Sequence, residues 1–364
     1  MTAAEFHDLR IRAVTPETDS ALCVEFDVPE PLRETFRFHQ GQYLTLKARV
    51  NGEEMRRCYS ICSGIDDGKL RVAIKKIEGG AFSNHAHAAF RPGEVIAVMP
   101  PQGRFYTALE PAARRRYLCL AAGSGITPVL SIVKTVLARE PLSEVTLIYG
   151  NQRSGTIMFR EELGFLKNRY LARFNWINIL SREEQDAAVL HGRINNRKGG
   201  ELDRRHLITI RAFDEFFLCG PESMISEVSR GLRSEGIDES HIHYELFYSN
   251  AEDAEQVIRK HHARAEQFGG RTSSVSVTVG GRSGTFDLDA DGENILDAAM
   301  AAGLDVPYSC KGGVCATCKA KLLSGEVDMD INHALSPEEV AAGYVLTCQA
   351  HPISASVCVD FDQV

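Results

Sequence analysis

Four cysteines constrain this chain more than any other feature: Cys310-x₄-Cys315-x₂-Cys318, with Cys348 following after a further 29 residues. Two irons bridged by sulfides need two thiolates each, and this spacing offers three from one tight loop and a fourth from a second segment. Gly312, Gly313, Ala316 and Thr317 are small enough to let backbone amides turn toward sulfur. Structural zinc also takes four thiolates, but usually from two separated Cys-x₂-Cys knuckles, and a second knuckle is absent here. The spacing therefore predicts a [2Fe–2S] centre with Cys310, Cys315, Cys318 and Cys348 as metal ligands. Of the ten cysteines, Cys23, Cys58, Cys62, Cys119 and Cys219 are scattered and Cys358 lies in a β-patterned tail; disulfides are not expected, and all of these but Cys219, which ends an α/β strand, read as ordinary buried thiols.

At 364 residues the chain exceeds what one hydrophobic core usually supports, so two or three domains are expected. The N-terminal dozen residues are broken by Glu5, His7, Asp8 and Arg10, unlike a secretory signal, and no eighteen apolar residues run together. A cytoplasmic protein without a membrane span is the expectation. The net charge of −8 is concentrated at one end: from Ser273 onward there are 13 acids and 4 bases. That asymmetry argues against nucleic-acid binding and for a separate acidic domain.

Hydrophobic periodicity divides the chain into three. Residues 43–46, 70–75 and 95–99 read as short strands punctuated by Gly41, Gly68, Gly79-Gly80 and Pro92-Gly93, which fits an antiparallel β-barrel or sandwich, and a barrel is the expectation taken forward. The run 117–122 is continuously apolar, like a buried parallel strand, and is followed by a Gly-rich turn and a helix over about 128–137. Residues 145–149, 174–180 and 215–219 repeat the strand pattern between polar or helical stretches, so a doubly wound parallel α/β domain follows. Residues 249–272 are polar and read as a linker with a helical portion around 254–268. Beyond it, 275–279 and 284–288 flank Gly280-Gly281 as a hairpin, and 294–302 form a short helix stopped by Gly303. The expected boundaries are 1–108 for the barrel, 109–248 for the α/β domain, 249–272 for the linker and 273–364 for the cluster domain.

The segments around the ligands, Pro307-Tyr308-Ser309-Cys310 through Cys318 and Gly343-Tyr344-Val345-Leu346-Thr347-Cys348-Gln349-Ala350, resemble both cluster segments of plant-type ferredoxins, which implies a β-grasp fold for this domain. Upstream, Arg57-Cys58-Tyr59-Ser60 and Gly79-Gly80-Ala81-Phe82-Ser83 together resemble the flavin site of the ferredoxin–NADP reductase family. The resemblance implies FAD as cofactor, with Arg57 on the flavin pyrophosphate, Tyr59 stacked on the isoalloxazine and Ser60 near its reactive nitrogen. It likewise implies diphosphate bound by Gly80, Ser83 and the amides of a helix N-terminus. FMN is the variant, because some relatives with this domain order lack the adenine half.

Gly123-Ser124-Gly125-Ile126-Thr127-Pro128 follows a buried strand and opens a helix, where a pyrophosphate loop belongs. Pro128 stands at the third glycine position of the common dinucleotide fingerprint, which disfavours a conventional dehydrogenase. The Gly123, Gly125, Thr127, Pro128 form resembles the NAD(P) loop of the same reductase family, and Cys219-Gly220-Pro221 resembles its nicotinamide-side motif. Ser181-Arg182 matches a pair that holds the 2′-phosphate in NADP-linked members, with Arg153 assisting. A phosphate needs a charge partner while a bare ribose prefers an acid, so NADPH is expected over NADH.

Tyr59, Ser60 and Cys219 are the residues expected at the reacting centre. Hydride arriving in pairs and electrons leaving singly make the order nicotinamide, flavin, cluster a two-to-one converter. Reductase modules first and ferredoxin last resembles the reductase components of bacterial multicomponent oxygenases. The resemblance implies the oxygenase of a di-iron epoxidase as electron acceptor. Other clients of the same redox chain are an aromatic-ring dioxygenase, a steroid hydroxylase or a hybrid-cluster protein. A redox sensor that does not turn over is the reading from a different class.

Overall fold

Alternation sets the first strand: Leu9 and Ile11 are buried while Asp8, Arg10 and Arg12 face outward, the period-two pattern of a half-buried strand. The computed structural model describes residues 5–246 and 251–364, so Ser249 and Asn250, where the expected linker begins, lie outside the described residues. His7–Met55 and Tyr59–Leu246 form one unit, and a second is built from 251–364.

In the first unit, β1 (His7–Thr18), β2 (Ala21–Asp27), β3 (Tyr43–Val50), β4 (Glu53–Ser60), β5 (Leu70–Lys75) and β6 (Val95–Val98) make a six-stranded sheet ordered β4-β3-β6-β1-β2-β5. An antiparallel bridge between Ile61 and Val72 joins the residue after β4 to β5 and closes the sheet into the expected barrel. Leu9, Ile11, Val24, Leu44, Leu46, Ile74 and Val98 fill it, together with Phe82 from helix α1 (Ala81–Ala89).

Next come β7 (Arg116–Ala122), α2 (Ile126–Arg139), β8 (Glu144–Asn151), α3 (Arg160–Arg169), β9 (Phe174–Leu180), α4 (Asn196–Arg204), β10 (Glu215–Cys219), α5 (Glu222–Ser234) and β11 (Ile242–Glu245). All four pairings are parallel in the order β11-β10-β7-β8-β9, the doubly wound arrangement that the alternation predicts. The strand order reverses between β7 and β10, and open α/β sheets bind ligands at the carboxyl ends beside such a reversal.

One face of α2 is stapled to the segment that follows β4. Ser131 donates to the Ser63 carbonyl at 2.7 Å, the Ile65 amide donates to Thr135 at 3.2 Å, and Arg139 grips Asp66 with two hydrogen bonds. Lys134 bonds both Asp67 and Glu162, and Arg71 of β5 holds Glu162 at 2.8 Å.

The second unit opens with α6 (Ala251–Phe268) and continues through β12 (Thr272–Val279), β13 (Arg282–Asp289), α7 (Ile295–Ala301), β14 (Lys319–Ser324), β15 (Val327–Met329), α8 (Pro337–Ala341), β16 (Tyr344–Leu346), β17 (Ala350–Pro352) and β18 (Ser356–Asp360). A mixed sheet ordered β13-β12-β18-β14-β16 packs against α7, and β15 pairs with β17. Its β12–β18 pair is parallel while the flanking pairs are antiparallel, a β-grasp sheet. The hairpin turn needs left-handed backbone at Gly280 and Gly281 (φ 58° and 72°), and the Asp362 carboxylate accepts both their amides at 2.8 Å. Asn294 caps α7 by accepting from the Asp297 amide.

Candidate flavin, nicotinamide and cluster sites

Register across the parallel sheet brings the nicotinamide-side residues together. Cys219 ends β10 and pairs with Ala121 of β7 on one side and Glu245 of β11 on the other. Gly125 lies so close behind that a Cβ there would stand 2.2 Å from the Cys219 carbonyl oxygen, so this position admits glycine alone. Gly220 is nearly as tight, against Met224 and Ala122. Gly123 takes φ 55° and its carbonyl accepts from the Tyr149 hydroxyl at 2.8 Å, while Thr127 donates to the Ser124 carbonyl at 3.0 Å and is buried with Pro128. The two sequence motifs 123–128 and 219–221 thus form one concave corner at the topological reversal.

Cys219 is fully buried, and burial reinforced by the neighbouring Glu245 carboxylate pushes its thiol well above the ordinary range. It is a neutral, space-filling thiol and no nucleophile. Ser60, the last residue of β4, donates to Glu245 Oε2 at 3.1 Å. Burial raises the Glu245 carboxyl to about 8, with the Ser60 hydrogen bond pulling the other way. Sequence reasoning missed Glu245, because an acid near the end of a short strand reads as solvated surface. The signal was available in the chain: residues 242–245 are a fifth strand whose carboxyl end must align with Cys219.

The two flavin motifs also meet. The Tyr59 ring lies 5.8 Å from that of Phe82, at the first turn of α1, whose N-cap is Gly80. The first-turn amides of a helix have no partner within it and face outward toward an anion. The Ser83 hydroxyl is engaged locally, accepting the Ile77 amide at 3.2 Å and donating to the Gly80 carbonyl at 3.3 Å. It shapes the turn that presents the amides. Arg57 is exposed on β4, an end strand of the sheet order, with its guanidinium on the Arg56 carbonyl.

At the other end of the corner, Ser181 and Arg182 donate backbone amides to the Asn151 and Gln152 carbonyls, which sets Arg153 and Arg182 on adjacent strand ends. Glu183 ties this loop by accepting the Ser154 amide and hydroxyl, and these bonds hold its carboxyl below the usual value. The Gly192 amide reaches the Leu180 carbonyl at 2.9 Å, which delivers a third exposed arginine, Arg193, to the same region; the sequence reading passed over it.

In the second unit the four cysteines come as two pairs, Cys310 with Cys315 and Cys318 with Cys348. The Cys315 thiol and burial raise Cys310, and the Cys348 thiol and burial raise Cys318. Two pairs of sulfurs suit a two-iron cluster, one pair per iron, better than one tetrahedral zinc. Lys311, Gly313 and Ala316 all take left-handed backbone (φ 53°, 73° and 54°), turning the loop so that the Gly312 amide donates to Cys310 Sγ at 3.3 Å. The Gln349 side-chain amide donates to Cys348 Sγ at 3.8 Å and to the Lys311 carbonyl at 3.0 Å, tying both ligand segments together. Buried sulfurs that lose their protons here need a multivalent cation to meet the charge, and the donor set fits an iron–sulfur cluster.

Comparison with known proteins agrees with this division of chemistry. Family models match in three places: an oxidoreductase FAD-binding domain at 9–106, an oxidoreductase NAD-binding domain at 119–230 and a 2Fe-2S iron-sulfur cluster binding domain at 277–352. One of the polypeptides of the 1,2-phenylacetyl-CoA epoxidase of Escherichia coli (strain K12) is 46% identical over 359 residues, spanning 98% of each chain. The chain belongs to this family of oxygenase reductase components. The reductase is also 32% identical to the ferredoxin reductase component of 3-ketosteroid-9-alpha-monooxygenase from Mycolicibacterium smegmatis, over 98% of this chain and 97% of that one. In fold the reductase superposes on phthalate dioxygenase reductase with a TM-score of 0.60 at 22% identity, covering 98% of both chains. It is an NAD(P)H-dependent oxidoreductase that uses FAD and a [2Fe–2S] cluster. Among the described residues no helix is long and apolar enough to cross a membrane.

Proposed function

We propose that this reductase draws hydride from NADPH and supplies single electrons to the di-iron oxygenase of a phenylacetyl-CoA epoxidase. The observation that carries the partner is the 46% identity running over 98% of both chains, against 32% for the steroid monooxygenase reductase. FAD and the cluster supply the two-to-one conversion when bound, and the protein's part is to position and tune.

In this reading Tyr59 and the α1 amides hold FAD, with Arg57 and Gly80 on its phosphates and Ser83 shaping the turn. Gly123, Gly125, Thr127 and Pro128 let the nicotinamide phosphates approach the start of α2. Cys219, Gly220 and Pro221 floor the nicotinamide pocket, and Ser60 with Glu245 holds a proton at its edge. Arg153, Ser181 and Arg182, joined by Arg193, pair with a 2′-phosphate, which supports NADPH over NADH. Cys310, Cys315, Cys318 and Cys348 hold the irons. The matches at 9–106, 119–230 and 277–352 support a flavin domain at 1–108, a nucleotide domain at 109–248 and a cluster domain at 273–364, while most of the expected linker at 249–272 is helix α6, which bonds to the cluster domain.

The test reconstitutes the purified reductase with two oxygenases, one for phenylacetyl-CoA and one for 3-ketosteroids. NADPH-driven product formation with the first and none with the second is expected. Turnover with the steroid oxygenase alone overturns the partner. Reduction of the bound cofactors by NADPH without acceleration by any acceptor supports a sensor instead.

A further inference from the structure

Helix α6 precedes the cluster domain in sequence, yet a stripe of its residues at i, i+4 and i+8 is locked onto the segment beside the cluster loops. Gln256 donates to the Asp330 carbonyl at 2.7 Å, Lys260 to Asp328 at 2.9 Å and to the Met329 carbonyl, and Arg264 to Asp328 at 2.7 Å and to Asp330. The Arg264 side chain is 3% exposed and that of Asp330 7%. Asp330 also meets His351 Nε2 at 3.1 Å. Arg264 Nε and His351 Nδ1 are buried without a hydrogen-bond partner.

Removing an arginine and an aspartate from water is an expensive way to dock a helix, since apolar residues of similar size commonly do as well. The charges here stand next to the cluster ligands. The Asp330 amide donates to the Gln349 carbonyl at 2.9 Å, and Gln349 in turn contacts Cys348 Sγ and the Lys311 carbonyl. Three residues beyond Asp330, the His333 amide donates to the Gly313 carbonyl at 3.0 Å. Segment 328–333 therefore touches both ligand-bearing loops, and Arg264 is its buried positive charge.

We infer that α6 is a working part of the cluster lobe and that Arg264, balanced against Asp328 and Asp330, is a positioning residue that tunes how readily the cluster takes its electron. The inference rests on Cys310, Cys315, Cys318 and Cys348 holding that cluster. Adding an electron adds negative charge, so a nearby buried cation favours the reduced form and a buried anion opposes it.

The experiment is a potentiometric titration of the full chain with flavin and cluster bound, followed by electron paramagnetic resonance. R264M shifts the cluster equilibrium toward the oxidised form by about tenfold, about 59 mV for one electron. D328N shifts it the other way, R264K stays near the parent, and the flavin midpoint does not move. Loosening of structure alone would not give opposite signs for two members of one ion pair. Shifts of the same sign in R264M and D328N, or none beyond about twofold in either, overturn the inference. Should R264M fail to fold, D328N carries the test, because Asp328 is 30% exposed and leaves Arg264 its bond to Asp330. Absence of iron and acid-labile sulfide in the parent protein would instead defeat the cluster assignment.

Discussion

The hydroxyl of Ser60 donates to Glu245 Oε2 at 3.1 Å, linking the last residue of a barrel strand to the last residue of a parallel strand. Burial holds the Glu245 carboxyl near 8 against an ordinary 4.5. Between those values the folded protein keeps a proton that the unfolded chain has released, so this group's contribution to stability falls as pH rises through the window. Glu245→Gln removes the slope: relative to the parent, the variant melts higher at pH 9 than at pH 6. The same substitution lowers the rate of flavin reduction by NADPH at least about tenfold, read by stopped-flow absorbance, and an unchanged rate would remove the pair from proton handling.

Gly125→Ala forces a Cβ against the Cys219 carbonyl, where only 2.2 Å is available. Overpacking of that kind costs about 1–3 kcal/mol. A lowered denaturation midpoint and a raised KM for NADPH are expected together, because the clash lies inside the nucleotide corner.

Lys134 holds Asp67 and Glu162 at once, with its side chain 12% exposed. Lys134→Met leaves two half-buried carboxylates facing each other and destabilises the first unit by about 1–3 kcal/mol in urea titrations. High salt recovers part of that loss by screening the repulsion.

Arg182→Ala raises KM for NADPH at least about tenfold and leaves that for NADH within about twofold, since only the former carries a phosphate for the guanidinium to meet. Equal effects on the two donors would remove Arg182 from the phosphate site.

Cys348→Ser abolishes the cluster's visible absorption and acid-labile sulfide but not the flavin. Ferricyanide reduction by NADPH persists, while reduction of cytochrome c falls about tenfold or more, as expected when one-electron exit is lost.

What was readable in the chain follows from the range of each interaction. Cys310, Cys315 and Cys318 announce themselves because nine residues carry three ligands, and β7 and β10 do so because a strand buried on both faces is apolar through most of its length. The strands β1 and β2 are harder to see, since the polar Thr15 and Thr18 and the strand-breaking Pro16 interrupt the first. Glu245 and Arg264 were illegible for another reason: their roles come from strand register and from a helix docked 64 and 66 residues away in sequence. Ser83 shows the reverse, a residue whose motif is plain while its hydroxyl is spent on the local turn.

The pairing of Cys318 with Cys348 bears on how the protein matures. Three sulfurs leave the ribosome together, but the partner of the third comes after β14, β15, α8 and β16 have been made. Until then one metal would have a complete pair of anchors and its neighbour a single one, so cofactor delivery has to wait for translation of the segment between β16 and β17. Nascent chains stalled between the two points should hold flavin but no acid-labile sulfide, with the cluster segment sensitive to protease.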